Sequence, residues 1–170
     1  KEDLSVLTNF NISVAATDKF MKALRDDKEY ALVNPHSKKI QEKVSAKEIF
    51  DDITSMAWKT GDPGMVFLDR INEHNPTPEI GEMESTNRCG ETPLLPYESC
   101  NLGSINLRNM VEDNEVNWER LKEVSHLAVR FLDDVIDVNR YPLPEIEKMT
   151  QANRKIGLGV MGWADMLIQL

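Results

Sequence analysis

Residues Ser85 to Asn106 read STNRCGETPLLPYESCNLGSIN and hold both cysteines of the 170-residue chain, Cys89 and Cys100, eleven positions apart. Pro93 and Pro96 lie between the thiols and exclude a regular helix, because proline lacks a donor N–H and biases the residue before it toward extended backbone. Glu91 stands two positions after Cys89 and Asn87 two before it. On extended backbone, residues spaced by two project to the same side. Asn87, Cys89 and Glu91 are therefore expected to line one face, joining an amide, a thiol and a carboxylate. Cys100 is far enough along to return on a neighbouring strand once PLLPYES turns the chain back, which would bring the thiols within bonding reach. Spacing alone leaves two readings open: a reactive pair of thiols, or two buried cysteines acting as small hydrophobes.

Outward from this stretch, strand and helix signals alternate. CNLGSINL (100–107) reads as a strand buried on both faces, and LTNFNISVA (7–15) as a short strand or extended lead-in. Thr17 and Asp18 offer cap chemistry for a helix over 17–27, with Phe20, Met21 and Leu24 on one face. VNPHSKK breaks the pattern. Ser45 and Glu48 have capping-box spacing before a helix whose inner stripe is Ile49, Ile53, Met56 and Ala57, stopped by Gly61, Pro63 and Gly64. MVFLDRINEHN (65–75) reads as a short helix, and NPTPEIGE as a loop. The clearest helix covers 117–139, with Asn117 as its cap and an apolar stripe of Leu121, Val124, Leu127, Ala128, Phe131, Leu132, Val135 and Ile136. It is expected to pack the core and to carry no chemistry. A further short helix over 141–155, a strand or turn at IGLGVMG (156–162) and a last helix in WADMLIQL complete the pattern.

This order argues for an α/β arrangement with too few strands to close a sheet. Unpaired apolar strand edges then point to a piece of something larger. The chain opens at Lys1 and stops within an apolar run, and both ends are expected to be cuts. A content of 41% hydrophobic residues suits one modest core, hence a single partial domain over 1–170. The formal net charge of −9 argues against general affinity for nucleic-acid phosphates or anionic lipid. There is no apolar run long enough to span a bilayer, and the opening KEDLSVLTNF lacks the order of a secretion signal, so a cytoplasmic location is expected.

Other candidate motifs are weaker. GLGVMG, Gly157 to Gly162, matches a dinucleotide-binding glycine pattern, but a polar helix rather than a first strand precedes it; glycines permitting tight strand-to-helix packing are the better reading. His36, His74 and His126 are widely separated, and two cysteines eleven apart do not make four ligands, so no metal site is expected. The acid pairs Asp26–Asp27, Asp51–Asp52 and Asp133–Asp134 read as solvated helix faces.

The segment NPTPEIGEMESTNRCGETPLLPYESCNLGSINL (75–107) resembles the active-site segment of the large catalytic subunit of ribonucleotide reductase, most closely the adenosylcobalamin-dependent class II enzymes. There the stretch runs close to Asn-Pro-Cys-Gly-Glu-Gln-Pro-Leu-Leu-Pro-Tyr-Glu-Ser-Cys-Asn-Leu-Gly-Ser. LTNFNISVAATDKFMKAL, GDPGMVFLDRINEHNPTP and NRKIGLGVMGWADMLI resemble the family's barrel segments in the same order, so nearly the whole chain is covered. Two departures stand out: Arg88 where proline is usual, and Thr92 where glutamine is usual.

The resemblance implies a helix-rich α/β fold, part of a ten-stranded α/β barrel with a central finger loop, incomplete in this chain. It implies reduction of ribonucleotides to 2′-deoxyribonucleotides by thiyl-radical chemistry. Cys89 would carry the radical, Glu91 would act as base on the 3′-hydroxyl, Asn87 would hold the substrate hydroxyls, and Cys100 would be one of two reducing thiols whose partner lies before residue 1. Adenosylcobalamin would be the cofactor, its contacts mostly outside the chain. A ribonucleoside di- or triphosphate, the remainder of the subunit, a thioredoxin-like or dithiol reductant and a homodimer of the full subunit would be the partners. The effector region would lie upstream, and the substrate-phosphate loop and redox tail downstream. Such a chain alone would not turn over. A different class of reading makes it a non-catalytic assembly or regulatory piece of a reductase complex, in which Cys89 and Cys100 would not change redox state.

Overall fold

The computed structural model describes residues 7–170. Its contacts cluster into two units, one ending at Leu95 and one spanning Pro96–Leu170.

The first unit is built on a parallel strand pair, which requires a crossover connection rather than a hairpin. β1 (Ser13–Ala16) leads to α1 (Asp18–Arg25), the strands β2 (Glu29–Val33) and β3 (Ile40–Ser45), and α2 (Ala46–Thr60), before β4 (Gly64–Phe67) returns beside β1 with Ser13 opposite Gly64. α3 (Leu68–Glu73) follows, and β5 (Ser85–Thr86) with β6 (Pro93–Leu94) closes the unit as a small antiparallel hairpin. Both helix starts are capped as the sequence indicates: the Phe20 and Glu48 amides donate to Thr17 Oγ1 at 3.2 Å and Ser45 Oγ at 3.3 Å. Gly61 ends α2 with φ +81°, a conformation that only glycine adopts freely. Ala16, Phe20 and Ala46 form the core, with Met21, Leu24, Ile49, Phe50 and Met65 packed against it, and the Phe20 ring meets Tyr30 edge-on at 5.4 Å. The predicted α2 stripe of Ile49, Ile53, Met56 and Ala57 is half-buried.

Three expectations change here. The extended reading of LTNFNISVA narrows to a strand at Ser13–Ala16. The helix expected over MVFLDRINEHN is split, because Gly64–Phe67 pairs with β1 and only Leu68–Glu73 is helical. Met-Val-Phe suits a pleated surface, and long-range pairing overrides the local period. The antiparallel pair β2–β3 was not anticipated. No Asn-Gly turn announces it; the Oδ1 of Asn34 accepts from the His36 and Ser37 amides, both at 2.9 Å, so a side chain shapes the turn.

The second unit repeats the parallel theme. β7 (Asn101–Asn106) runs into a 3₁₀ turn (Leu107–Met110), the short hairpin β8 (Val111–Glu112) and β9 (Glu115–Val116), α4 (Trp118–Val138) and α5 (Pro144–Asn153). β10 (Ile156–Met161) then pairs in parallel with β7, from Asn101 opposite Ile156 to Asn106 opposite Met161, and α6 (Trp163–Gln169) follows. Ile105, Leu107, Met110 and Met166 form a core joined by Leu121, Val124 and Leu158. Gly103 lies against Leu132 of α4, where an added Cβ would sit 3.5 Å from Leu132 Cδ1. The face of β7 carrying Ile105 is covered, while Leu102 on the other face is 48% exposed, so the expected burial of both faces does not hold within this unit.

α4 divides its apolar stripe in the same way. Ile136 and Leu132 are 1% and 5% exposed, whereas Leu127 and Phe131 are 67% and 65% exposed. One strand pair is narrower than the stripe. Ile136→Ala is expected to destabilise the fold by about 2–5 kcal/mol, since it removes transfer energy and leaves a cavity. Urea denaturation measures it, and a midpoint unchanged from wild type would contradict this packing. Arg154, at φ +49° after α5, clamps α4: its Nε reaches Asp133 Oδ1 and its Nη1 reaches Asp137 Oδ1, each at 2.8 Å. The guanidinium holds both carboxyls below the ordinary range.

The glycines of GLGVMG sit in β10 and at its junction with α6. A side chain at Gly157 would collide with Leu102 on the neighbouring strand, and Gly162 adopts φ +68°. The close approach is strand to strand, not strand to helix. None of the described helices is long and apolar enough to cross a membrane. The α/β class is as expected, with five separate two-stranded sheets and no closed barrel among the described residues.

Candidate active site

The six residues 87–92 join β5 to β6, and Asn87 organises them. Its main-chain N–H donates to the Thr92 carbonyl at 2.9 Å, its carbonyl accepts from the Gly90 amide at 3.1 Å, and its Oδ1 accepts from the Thr92 amide at 2.9 Å. Thr86 Oγ1 adds a hydrogen bond to the same carbonyl at 3.0 Å. Arg88 and Cys89 thus occupy the centre of a turn. Gly90 leaves it at φ +86°, with nothing within 4 Å of where a Cβ would stand, so backbone conformation rather than crowding calls for glycine. From outside the loop, Asn11 Nδ2 donates to the Arg88 carbonyl at 2.8 Å. A cleft of about 420 Å³ lies alongside, lined by Ile12, Ser13, Val66, Ser85, Asn87 and Arg88 among others.

Asn87, Cys89 and Glu91 are therefore brought onto one loop, but not by the expected geometry. The backbone is not extended through them, because the Asn87–Gly90 turn and the left-handed Gly90 break the alternation of faces. Their grouping comes from loop closure. Cys89 is an exposed free thiol, and Glu91 is exposed. With Oδ1 engaged, the Asn87 amide keeps its Nδ2 hydrogens available as donors, since no described residue accepts them. The two departures, Arg88 and Thr92, enter the loop's hydrogen bonds through main-chain atoms, which any residue supplies in Arg88's case and any residue but proline in Thr92's.

Cys100 belongs to the second unit, half-buried and free, immediately before β7. The residues around it are anchored. Glu98, whose side chain is 0% exposed, pairs with Lys155 Nζ at 2.5 Å and accepts from Asn153 Nδ2 at 2.8 Å. Ser99 Oγ and Thr150 Oγ1 share a hydrogen bond at 2.7 Å, and Asn101 Nδ2 donates to the Leu132 carbonyl at 3.0 Å. Sequence reasoning missed Asn11, Glu98, Asn153 and Lys155. Glu98, two positions before a cysteine and within an otherwise apolar and small-residue run, was the one available signal.

A family model described as ribonucleotide reductase, barrel domain, matches residues 1–170. Among curated proteins, the vitamin B12-dependent ribonucleoside-diphosphate reductase of Thermoplasma acidophilum is 58% identical over 166 residues, covering 97% of this chain and 22% of that protein. The protein of the same name from Mycobacterium tuberculosis strain CDC 1551 / Oshkosh is 56% identical over 169 residues, 99% of this chain and 24% of its own length. The ribonucleoside-diphosphate reductase subunit alpha of Chlamydia pneumoniae is 38% identical over 136 residues, 78% of this chain and 13% of its length. The chain thus spans less than a quarter of the length of each of these relatives.

Proposed function

The chain belongs to the ribonucleotide reductase barrel-domain family, and on that basis we propose that it is an internal portion of the catalytic barrel of an adenosylcobalamin-dependent reductase that converts ribonucleoside diphosphates to 2′-deoxyribonucleotides. The names of the Thermoplasma and Mycobacterium relatives support both cofactor and substrate. In this reading residues 1–170 serve one domain, a ten-stranded barrel completed by the rest of the subunit, and loop 87–92 is its finger loop. The full subunit is a cytoplasmic homodimer re-reduced by a thioredoxin-like protein or another dithiol.

The observation that carries the proposal is the bonding of Asn87. Its N–H, carbonyl and Oδ1 all close the loop, which leaves its amide hydrogens free beside an exposed thiol and an exposed carboxylate. A hydrogen-bond donor, a hydrogen-atom acceptor and a base are what a ribose diol needs. Adenosylcobalamin, when bound, supplies the organic radical that removes the hydrogen atom from the Cys89 thiol. Most of the cofactor's own contacts belong to other parts of the subunit in this reading.

As a thiyl radical, Cys89 takes the hydrogen atom from C3′: the C–H bond breaks and the S–H bond re-forms. Glu91 accepts the 3′-hydroxyl proton, which pushes electron density toward C2′, and the 2′-hydroxyl takes a proton from the reducing thiol pair that includes Cys100 and leaves as water. Asn87 Nδ2 holds the hydroxyls in place. Cys100 and a second thiol outside this chain deliver two electrons and two hydrogens and end as a disulfide. Glu91 then returns its proton to the 3′ oxygen, and Cys89 returns its hydrogen atom to C3′ and is again a thiyl. One C–O bond has become a C–H bond, one water has left, and one disulfide awaits reduction.

The test is product formation by the full-length protein that carries this chain, with a ribonucleoside diphosphate and a dithiol, with and without adenosylcobalamin. Deoxynucleotide formed only with the cofactor is the expected result. Equal turnover without it would overturn the cofactor assignment, and no product in a folded, cofactor-loaded protein would favour the assembly-module reading.

A further inference from the structure

The pair of buried Glu98 with part-buried Lys155 is unusual for where it sits. Taking charged groups out of water is costly, and a buried ion pair seldom adds more stability than a well-packed apolar pair of the same size would. What it adds is definition, because the close pairing favours one arrangement of the two side chains over others. Glu98 lies two residues before Cys100. Lys155 immediately precedes Ile156, and Ile156 is the partner of Asn101 in the β7–β10 register, so Lys155 leads into β10 as Cys100 leads into β7. The pair ties the approach to one strand to the approach to the other, just where the thiol stands.

Three of the four residues 98–101 are fastened by side chains, and Cys100 is the one between them. Glu98 is held by Lys155 and Asn153, Ser99 by the buried Thr150 hydroxyl, and Asn101 by the Leu132 carbonyl. The anchors come from α5, the residue just before β10 and α4, so the thiol's backbone is braced from three places in its own unit. A disulfide tolerates a narrow range of Cα separation and torsion. A thiol that must form and release such a bond in every cycle gains from a base that does not move.

We propose that Glu98 and Lys155 are positioning residues that fix the Cys100 thiol for disulfide formation during turnover. This rests on the redox role proposed for Cys100. Neither residue touches substrate. Their effect is on how often the sulfur occupies the reactive position, which enters kcat and leaves substrate binding alone.

The test uses the full-length, cofactor-loaded protein. Lys155→Met leaves the buried carboxylate without its ammonium and risks misfolding, so the decisive variant is the double substitution Glu98→Gln with Lys155→Met. It removes both charges, keeps the shape of Glu98, shortens the unbranched side chain at 155 by one heavy atom and keeps an acceptor for Asn153. Two quantities are read: the iodoacetamide alkylation rate of Cys100 relative to that of Cys89 in the same reduced sample, and kcat with KM. The double variant is expected to label Cys100 about tenfold faster, as local opening becomes easier, while Cys89 labels as in wild type. Its kcat is expected to fall by about the same factor at unchanged KM. Wild-type labelling of Cys100, or acceleration at both cysteines together, would overturn the positioning role. Full activity in Cys100→Ser would instead overturn the redox role of the thiol, and the labelling ratio would still decide whether the pair holds it.

Discussion

Cys89→Ser is expected to abolish deoxynucleotide formation while leaving the fold intact. Serine preserves the size of the side chain, and the hydrogen bonds that shape the loop come from Asn87, Thr86, Gly90, Thr92 and Asn11 rather than from the thiol. What is lost is a weak S–H bond. An O–H bond is much stronger, so generating a radical on serine is strongly uphill. No other side chain on the loop can take over. Product chromatography on the full-length protein, alongside circular dichroism to verify folding, measures the effect. A folded serine variant that still turns over would remove Cys89 from the mechanism.

Glu91→Gln is expected to lower kcat by about 10²–10⁴-fold, the usual contribution of a positioned general base, with little change in KM. The substitution keeps shape and polarity but cannot accept a proton. Glu91 takes no part in the bonds that close the loop, which run through Asn87 and Thr92, so the turn presenting Cys89 is expected to survive. Steady-state kinetics separates the two parameters. A large rise in KM at constant kcat would reassign Glu91 to substrate binding.

Much of the site was legible because it is local in sequence. Asn87, Cys89 and Glu91 fall within five consecutive positions, so any closure of that segment groups them. The manner of grouping was not legible. Face alternation was the natural inference from spacing by two, yet Asn87 bonds across the loop and Gly90 adopts φ +86°, which converts an extended run into a turn. The brace around Cys100 was out of reach for another reason: Glu98 and Lys155 are far apart in the chain and meet only because β7 and β10 pair in parallel.

The same division holds for the fold. Caps at Thr17, Ser45 and Asn117 are local chemistry, and each accepts the expected amide, Asn117 Oδ1 from Arg120 at 2.9 Å. The long helix was plain from its period, but not which part of its stripe is covered, because that depends on the width of the strand pair beneath it. Met65 to Phe67 went to a strand against the helical reading because β1 was there to pair with. Non-local partners decide such segments.

The central claim is that Cys89 carries the radical. Electron paramagnetic resonance on the full-length, adenosylcobalamin-loaded protein, frozen during turnover and built with cysteine deuterated at Cβ, tests it most directly. Hyperfine coupling to the Cβ hydrogens broadens the spectrum of a sulfur-centred radical, so deuteration is expected to narrow the signal, and Cys89→Ser is expected to remove that narrowing. A signal indifferent both to cysteine deuteration and to Cys89→Ser would contradict the claim.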